Sequence, residues 1–469
     1  MKRFFRVLAL LPLLASAIAT QAQTGAAAPA VVKGPDERFK TDILVVVAHP
    51  DDEGGVTPYL ARAIYDEHKR VAVVYGTRGG SGGNDYSREH GPALADIREQ
   101  EARQACAKLG ITNVWFLGGK DTASQNVLNS LSNWGHGASL EQLVRIVRLT
   151  RPEVIISWLP GIFSGENHGD HQAAGVLATE AFDTANDPAA FPSQVSAATR
   201  RLELYLENLA PWQAKKLYFF SDADNQKQFD GTGPAYSIRE ISPSQKKPYW
   251  RLALDAATPH LTQFPAEIGQ LSSMSDEQLN KFMDDPQHSW WTEPMTLVFG
   301  KSVDGSDANS PVFPALEPAS KQKGARVQSG GHSPLSDNGN VRLGGPWAYY
   351  ADFCRAHHLQ NLPALESPEI AVKGGTLLQV PFVLAHDPDG AQEFTVDARV
   401  PEGWKVSGGT GKLLLPKEKT TALRVEVETP ETPGTDSANR SVEITVEQNG
   451  KRVGAIRLLV LLKKGGLPQ

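Results

Sequence analysis

Two short segments of the sequence concentrate side chains that can bind metals or move protons. Residues 49–53 read His-Pro-Asp-Asp-Glu, which places one imidazole and three carboxylates within five positions. Residues 168–171 read His-Gly-Asp-His and add two imidazoles and one carboxylate. Neighbouring carboxylates repel one another unless a cation compensates their charge. Because imidazole and carboxylate together suit zinc and, less selectively, other divalent ions, the two segments predict a shared metal centre.

The two adjacent aspartates of the first segment can divide the work of hydrolysis. A catalytic zinc takes three protein ligands and leaves one position open for water. One of Asp51 and Asp52 could bind the metal while the other accepts a proton from that water. The structural alternative is that residues 51–53 stabilise a helix start, and that His168 and His171 are ordinary surface histidines.

The elements that must position these segments follow from hydrophobic patterning. Short apolar runs alternate with helical spacing, which predicts an α/β fold with a Rossmann-like, doubly wound, mainly parallel sheet. Ligands bind such a sheet beyond the carboxyl ends of its strands, and both segments follow predicted strands there. The predicted strands are Ile43–Ala48, Val71–Tyr75, Val114–Leu117 and Val154–Trp158, and the predicted helices are Gly55–Lys69, Ala93–Leu109, Leu140–Thr150 and Asp170–Phe182.

The middle of the chain is less regular. Residues 185–360 hold one further predicted strand, Leu217–Phe220, and two predicted helices, Pro259–Leu271 and Ser275–Asp284. We interpret this part as an elaboration of the α/β domain. The stretch from Gly300 to Gly345 is rich in Gly, Ser, Pro and Asn, which favours a long loop.

The end of the chain has a different pattern. Over residues 366–465, Val-, Leu- and Thr-rich runs recur between Gly, Pro and Asp clusters, which predicts a C-terminal immunoglobulin-like β-sandwich. Asn449-Gly450 lies between two runs and is a strong hairpin signal. Trp404 is a candidate sugar platform, but we favour a structural role, as a spacer or lid, for the whole region.

The N-terminus predicts export. Lys2, Arg3 and Arg6 precede an apolar run over residues 7–14, and small residues follow with a cleavage site near Ala22. We therefore expect a signal peptide over residues 1–22, a flexible leader over residues 23–40, and a periplasmic or secreted protein with no membrane span after cleavage. An uncleaved anchor helix is the alternative, although the apolar run is short for a span.

Composition excludes several classes of protein. The 469 residues include 47 Lys plus Arg and 53 Asp plus Glu, with a net charge of -6 and no basic stripe, which argues against a nucleic-acid partner. The two cysteines, Cys106 and Cys354, exclude a disulfide framework but leave one bridge open. The glycine-rich run over residues 76–83 lacks both the ending of a P-loop and the spacing of a dinucleotide fingerprint.

The motifs together resemble a known family. Ala48-His49-Pro50-Asp51-Asp52-Glu53 and His168-Gly169-Asp170-His171 resemble the PIG-L/LmbE-like family of zinc-dependent N-acetylglucosaminyl deacetylases. The resemblance covers roughly residues 41–265, and we expect the deacetylase domain to occupy residues 41–360. Supporting segments, in order, are Thr77-Arg78-Gly79, Ile97 to Ala102, Lys108-Leu109-Gly110, Asp121 and His260-Leu261-Thr262-Gln263, the last being similar to a His-x-Ser-Gln element of the family.

The resemblance implies a role for each residue of the metal centre. His49, Asp52 and His171 would be the ligands of Zn²⁺, with other divalent metals possible. Asp51 would be the general base for the zinc-bound water. These assignments agree with the chemistry of amide hydrolysis, which needs an activated nucleophile and a proton for the leaving amine.

The resemblance also implies roles around the substrate. His168 would stabilise the oxyanion, and Asp170 would orient and charge that imidazole. Arg78 and Asp121 resemble positions that hold sugar hydroxyls. A structural role, in a loop or an ion pair, is the alternative for Arg78 and Asp121.

The sequence departs from the family pattern at two points. Some members carry a tyrosine two residues before the first histidine of the second motif, and Glu166 stands there in this chain. Gly79-Gly80 replaces the commoner Gly-Glu. Both departures bear on substrate identity more than on reaction type. Arg98 and Glu101 lie three apart on a predicted helix, and we interpret them as a structural pair.

The expected function is therefore a metal-dependent amide hydrolase that removes acetyl groups from N-acetylglucosamine-type amino sugars or glycoconjugates. One alternative keeps the chemistry but changes the substrate to a non-sugar amide, such as a thiol conjugate. Another is a catalytically idle glycan-binding protein, against which the intact set of ligand and acid residues argues. The sequence makes no prediction of the oligomeric state.

Overall fold

The computed structural model describes most of the chain outside its N-terminus. The described residues are 35–161, 169–198, 203, 205–221, 226–284, 291–314, 340–362, 368–385, 392–415, 420–431 and 440–463. The predicted signal peptide, most of the predicted leader, Glu166 and His168 lie outside these ranges. The end of the predicted leader is ordered, because Glu37–Phe39 form a 3-10 turn and Glu37 pairs with Arg151 at 2.7 Å.

The α/β part is built on a six-stranded sheet. Its strands and those of a small accessory sheet are β1 (Ile43–Val47), β2 (Val71–Thr77), β3 (Asn113–Gly119), β4 (Val154–Trp158), β5 (Lys216–Phe220), β6 (Ala235–Tyr236), β7 (Met295–Thr296) and β8 (Val298–Ser302). The order is β3-β2-β1-β4-β5-β8, parallel from β3 to β5. Strand β8 runs antiparallel to β5 at one edge. The predicted α/β class with a mainly parallel sheet is confirmed.

Helices cover this sheet. They are α1 (Thr57–Tyr65), α2 (Pro92–Lys108), α3 (Val127–Trp134), α4 (His136–Thr150), α5 (Gly169–Thr184), α6 (Pro192–Val195), α7 (Tyr249–Ala257), α8 (Pro265–Ser273), α9 (Asp276–Met283) and α10 (Pro346–Ala356). Strands β1, β2, β4 and β5 are buried along their whole length, which requires cover on both faces. The predicted helices of residues 41–185 match α1, α2, α4 and α5, whereas α3, α6, α7 and α10 were not predicted.

One predicted helix begins later than its pattern indicates. Pro259–Leu271 was predicted as helical, but α8 starts at Pro265. Proline is common at the first position of a helix, because the amide hydrogen that proline lacks would have no partner there. The residues before it, 260–263, form a turn in which His260, Thr262 and Gln263 are buried. The next prediction, Ser275–Asp284, is confirmed as α9, and Ser275 and Gln278 form its capping box.

The C-terminal region is rich in β-structure. Its strands are β9 (Val341–Leu343), β10 (Glu369–Lys373), β11 (Leu377–Ala385), β12 (Gln392–Arg399), β13 (Lys405–Gly408), β14 (Gly411–Leu415), β15 (Thr420–Glu428), β16 (Ser441–Gln448) and β17 (Lys451–Lys463). They form two sheets, ordered β10-β17-β16-β12-β14 and β13-β15-β11-β9. Buried side chains from both sheets form one hydrophobic cluster. The immunoglobulin-like classification stays a prediction.

Several local predictions can be compared with this region. Asn449 and Gly450 have positive φ angles of 52° and 72° and join β16 to its antiparallel partner β17, as the hairpin signal indicated. Trp404 is buried in the β cluster, so it does not form an exposed sugar platform. Strand β9 precedes residue 366 yet pairs with β11, so this region takes a strand from the segment assigned to the α/β domain.

Two further observations concern the state of the cysteines and whether a helix could span a membrane. Cys106 and Cys354 are both free thiols, and Cys106 is buried within α2. Among the described residues, no helix combines the length and the apolar character needed to cross a membrane.

Candidate metal centre

Three side chains from both sequence motifs converge beyond the carboxyl ends of β1 and β4, which are neighbours in the sheet. The Oδ1 atom of Asp52 lies 3.6 Å from Nδ1 of His49 and 3.3 Å from Nε2 of His171. The two imidazole rings are 5.4 Å apart between centroids. One ligand atom from each of the three residues lies within 4.8 Å of the other two. The predicted ligand set is therefore assembled in space.

The carboxylate of Asp52 is oriented by hydrogen bonds. Its Oδ2 atom accepts from the backbone N–H groups of Ala48 at 2.8 Å and His49 at 2.9 Å, and from Nε1 of Trp158 at 2.8 Å. Three donors on one oxygen direct the other oxygen, Oδ1, towards the two imidazoles. Burial raises the pKa of Asp52, but the nearby imidazoles outweigh burial and hold that pKa well below its usual value.

The two imidazoles are also fixed in place. The ring of His171 stacks on that of Trp158, with centroids 4.1 Å apart and planes within 6°. The Nε2 atom of His49 lies 3.2 Å from Oδ2 of Asp170, whose carboxylate also accepts from the backbone N–H and hydroxyl of Thr122. A carboxylate on the far nitrogen of an imidazole is typical of metal-ligating histidines, because it fixes the tautomer and the ring orientation.

The donor set fits a divalent cation. Two imidazole nitrogens and one carboxylate oxygen converge, and contacts with Asp170 and Trp158 help to hold the side chains that carry them. Burial lowers the pKa of His49, but the carboxylates of Asp52 and Asp170 outweigh it and raise that pKa well above its usual value. The site thus favours positive charge at its centre. Imidazole and carboxylate ligands suit zinc among other divalent ions.

Asp51 lies beside this centre in an unusual backbone conformation. Its φ and ψ angles are 99° and -25°, in the left-handed region that few non-glycine residues adopt. Burial, followed by the charge of Asp52, raises the pKa of Asp51 to about 7. A carboxyl group whose pKa lies near 7 can both accept and return a proton at neutral pH, which is what this catalytic role requires.

The turn over residues 260–263 makes hydrogen bonds to the first motif. The Nε2 atom of His260 is 2.7 Å from Oε1 of Glu53, and Gln263 donates to the carbonyl of Pro50. Thr262 accepts from Nε of Arg98 and donates to Glu101, so the predicted Arg98–Glu101 pair meets at this residue. The roles of His260 and Gln263 were not predicted beyond the motif that contains them.

A cavity of about 150 Å³ opens over the centre. Its lining includes His49, Asp51, Asp52, His171, Arg98 and Asp121. Asp121 accepts from the backbone N–H of Ser81 at 2.7 Å, which ties the loop after β3 to the glycine-rich loop.

Arg78 occupies a different position from Asp121. It forms ion pairs with Asp96 and with Glu99, and it is not among the described residues that line the cavity. His168, predicted as the oxyanion partner of Asp170, and Glu166 lie outside the described residues. The described contacts of Asp170 are made with His49 and Thr122.

Comparison with known proteins supports the motif resemblance. Residues 44–182 match the family described as PIG-L: GlcNAc-PI de-N-acetylase. This match includes all three converging residues and confirms the family resemblance of the segment.

Individual relatives carry related names. The chain is 33% identical over 187 residues, 36% of its own length and 59% of the relative's, to 1D-myo-inositol 2-acetamido-2-deoxy-alpha-D-glucopyranoside deacetylase 1 of Frankia alni. It is 27% identical over 256 residues to the deacetylase of that substrate from Thermobifida fusca, covering 47% of this chain and 82% of that protein. The chain thus spans about three fifths of the first relative's length.

Among solved structures, N,N'-diacetylchitobiose deacetylase from Pyrococcus horikoshii is similar over 49% of this chain and 73% of that one. The identity is 21% and the TM-score is 0.35. A likeness of this size supports no conclusion about function.

Proposed function

We propose that this chain, in which residues 44–182 form a domain of the PIG-L family, is a metal-dependent N-deacetylase of N-acetylglucosamine-type amino sugars. The observation that carries the proposal is the convergence of His49, Asp52 and His171 around one point, with the carboxyl group of Asp51 beside it in the cavity. The net reaction consumes water, breaks the amide C–N bond, and yields acetate and the free amine.

His49, Asp52 and His171 would hold the cation, for which we propose zinc. When bound, the cation supplies Lewis-acid chemistry that acidifies water and polarises a carbonyl oxygen. Asp51 takes a proton from the attacking water and gives it to the leaving amine. We assign oxyanion stabilisation to His168. The carboxylate of Asp170 contacts the imidazole of His49, so its proposed role includes orienting that ligand.

The substrate proposal rests on the relatives and on the cavity. The matched relatives are named for deacetylation of an inositol-linked N-acetylglucosamine. Asp121 lines the cavity, where its carboxylate can accept a hydrogen bond from a sugar hydroxyl. For Arg78 we propose an indirect role, because its guanidinium is held by Asp96 and Glu99. We further propose export to the periplasm or medium, on the strength of the N-terminal signal pattern.

The test combines a substrate screen with one variant. N-acetylated sugars, muropeptides and non-sugar acetamides are incubated with the full chain, and released acetate is measured. We expect turnover of an N-acetylglucosamine derivative, near-complete loss of turnover in Asp51→Asn, and unchanged metal content in that variant. The surface variant Asp352→Asn is the control. Wild-type turnover in Asp51→Asn would refute the assignment of the base, and preference for non-sugar amides would refute the substrate class.

A further inference from the structure

Helix α10 contacts the helix that carries a proposed metal ligand. The phenol of Tyr350, on α10, donates to Oε1 of Gln172 at 2.7 Å, and both side chains are buried. Gln172 directly follows His171 in α5. A second contact lies near the other end of α5, where Nδ1 of His357 is 2.7 Å from Asp183. Helix α10 and the residue that caps its C-terminus therefore contact α5 at two points.

The same helix is anchored in the C-terminal β-rich region. Trp347 belongs to the hydrophobic cluster of that region, whereas Tyr350 and Phe353 belong to the cluster of the α/β part. Only Gly344 and Gly345 separate α10 from β9, which pairs with β11. Within this connection the backbone N–H of Gly344 donates to the carbonyl of Pro381 in β11 at 2.9 Å, which ties the start of α10 to the β-rich region. A shift of the β-rich region would thus be transmitted to α10.

A second route joins the β-rich region to the site. The backbone N–H of Ala371, in β10, donates to Oε1 of Gln125 at 3.2 Å. Gln125 lies in the loop between β3 and α3, where Thr122 binds the carboxylate of Asp170. In the same loop, the carbonyl of Ser124 accepts from Gly169 at the start of α5 at 2.7 Å. Strand β10 therefore contacts the loop that holds the first turn of α5.

We infer that the C-terminal β-rich region is a positioning element for the metal centre, and that Tyr350 and Gln125 are the positioning residues at its two contacts. Both routes end at the first turn of α5, which carries Asp170 and His171. Metal affinity depends on how well the ligands are held before the cation binds, so support behind a ligand helix affects it. The inference rests on the proposed metal site, but it does not depend on the substrate.

The test measures zinc affinity of the full chain by competition with a chromophoric chelator, with acetate release recorded alongside. Tyr350→Phe removes one hydroxyl and keeps the ring, so the packing of α10 is retained. We expect its zinc affinity to fall by about three- to tenfold, less than for a residue that contacts a metal ligand directly. Gln125→Ala tests the second route independently, and the same direction is expected. Tyr349→Phe, on the same helix, is the matched control and should bind zinc as the wild type does.

A double variant separates positioning from general loss of stability. If Tyr350 acts through Gln172, adding Tyr350→Phe to Gln172→Leu should weaken zinc binding no further than Gln172→Leu alone. Three results would overturn the inference. The losses of zinc affinity in Tyr350→Phe and Gln172→Leu could be additive, or Tyr349→Phe could lose as much affinity as Tyr350→Phe. The third is zinc affinity within twofold of the wild type in both Tyr350→Phe and Gln125→Ala. Failure of the proposed function is a distinct result, in which the wild type binds zinc but releases no acetate.

Discussion

The Nε2 atom of His260 lies 2.7 Å from Oε1 of Glu53, and both side chains are buried. The other oxygen of Glu53 accepts from the backbone N–H of Asp51 at 3.1 Å. Because Asp51 sits in the left-handed region, which costs free energy for a non-glycine residue, this hydrogen bond helps to hold it there. The pair thereby links a turn from residues 260–263 to the proposed general base.

The first prediction concerns this pair. Replacing His260 by Ala leaves the Glu53 carboxylate buried without its partner, which costs about 3–5 kcal/mol in typical buried pairs. We expect His260→Ala to lower the free energy of unfolding by that order and to reduce kcat more than KM, because Asp51 loses its support. Denaturant unfolding and steady-state acetate release measure the two effects.

The control for that experiment is a surface histidine pair. His136 lies 2.6 Å from Glu180 and is partly exposed, so His136→Ala should cost only about 0–1 kcal/mol. If His260→Ala and His136→Ala destabilise the protein equally, the Glu53 contact contributes no more than a surface pair.

The second prediction concerns the carboxylate behind His49. Asp170→Asn keeps the size of the side chain but replaces a charged acceptor on Nε2 of His49 with a neutral amide. We expect zinc affinity to fall by about 10- to 100-fold, the usual effect of losing such a partner. Chelator competition measures the change. Asp187→Asn, at an exposed position, serves as the control, and an unchanged affinity in Asp170→Asn would show that His49 is oriented by other contacts.

The first motif could be predicted because its elements are contiguous in sequence. Strand β1 is a continuous apolar run, and the polar residues 49–53 begin within two positions of its end. The rule that ligands bind beyond parallel strands then placed this motif beside the segment that follows β4. His49, Asp52 and His171 converge in the structure because β1 and β4 are hydrogen-bonded neighbours.

Contacts made over long sequence distances could not be predicted in the same way. Glu53 and His260 are 207 residues apart, and the apolar spacing around Pro259 indicated a helix where the structure has a turn. Trp158 offered a weak signal, since an indole N–H at the end of a buried strand needs an acceptor. The acceptor is Asp52, which follows a different strand, so it could be identified only once the order of the strands in the sheet was known.

The third prediction concerns metal removal. Zinc that binds only the folded protein stabilises it by about 2.7 kcal/mol when its free concentration is 100 times its Kd. We therefore expect chelator-treated protein to melt at a lower temperature and to regain its Tm when zinc is added. His171→Ala should show no such rise, because it lacks one of three ligands. A zinc-dependent rise of equal size in His171→Ala would place the cation elsewhere.

The last prediction concerns pH and the contact between α5 and α10. Burial raises the pKa of Asp183, but His357 and Lys301 outweigh burial and lower it below the usual value of 3.8. A carboxyl group whose folded-state pKa is lowered stabilises the protein above its unfolded-state pKa, and this stabilisation is lost as the pH falls through the folded-state value.

Asp183→Asn should therefore lower the free energy of unfolding at pH 7 by about 1 kcal/mol, a modest figure because the side chain is partly exposed. The difference from wild type should persist at pH 5 and shrink as the pH falls below 3.8. Urea unfolding of both proteins at several pH values measures it. Asp352→Asn, on the outer surface of α10, should show no comparable pH-dependent difference. A gap between Asp183→Asn and wild type that stays constant from pH 7 to pH 3 would mean that the carboxylate charge contributes nothing to the α5–α10 contact.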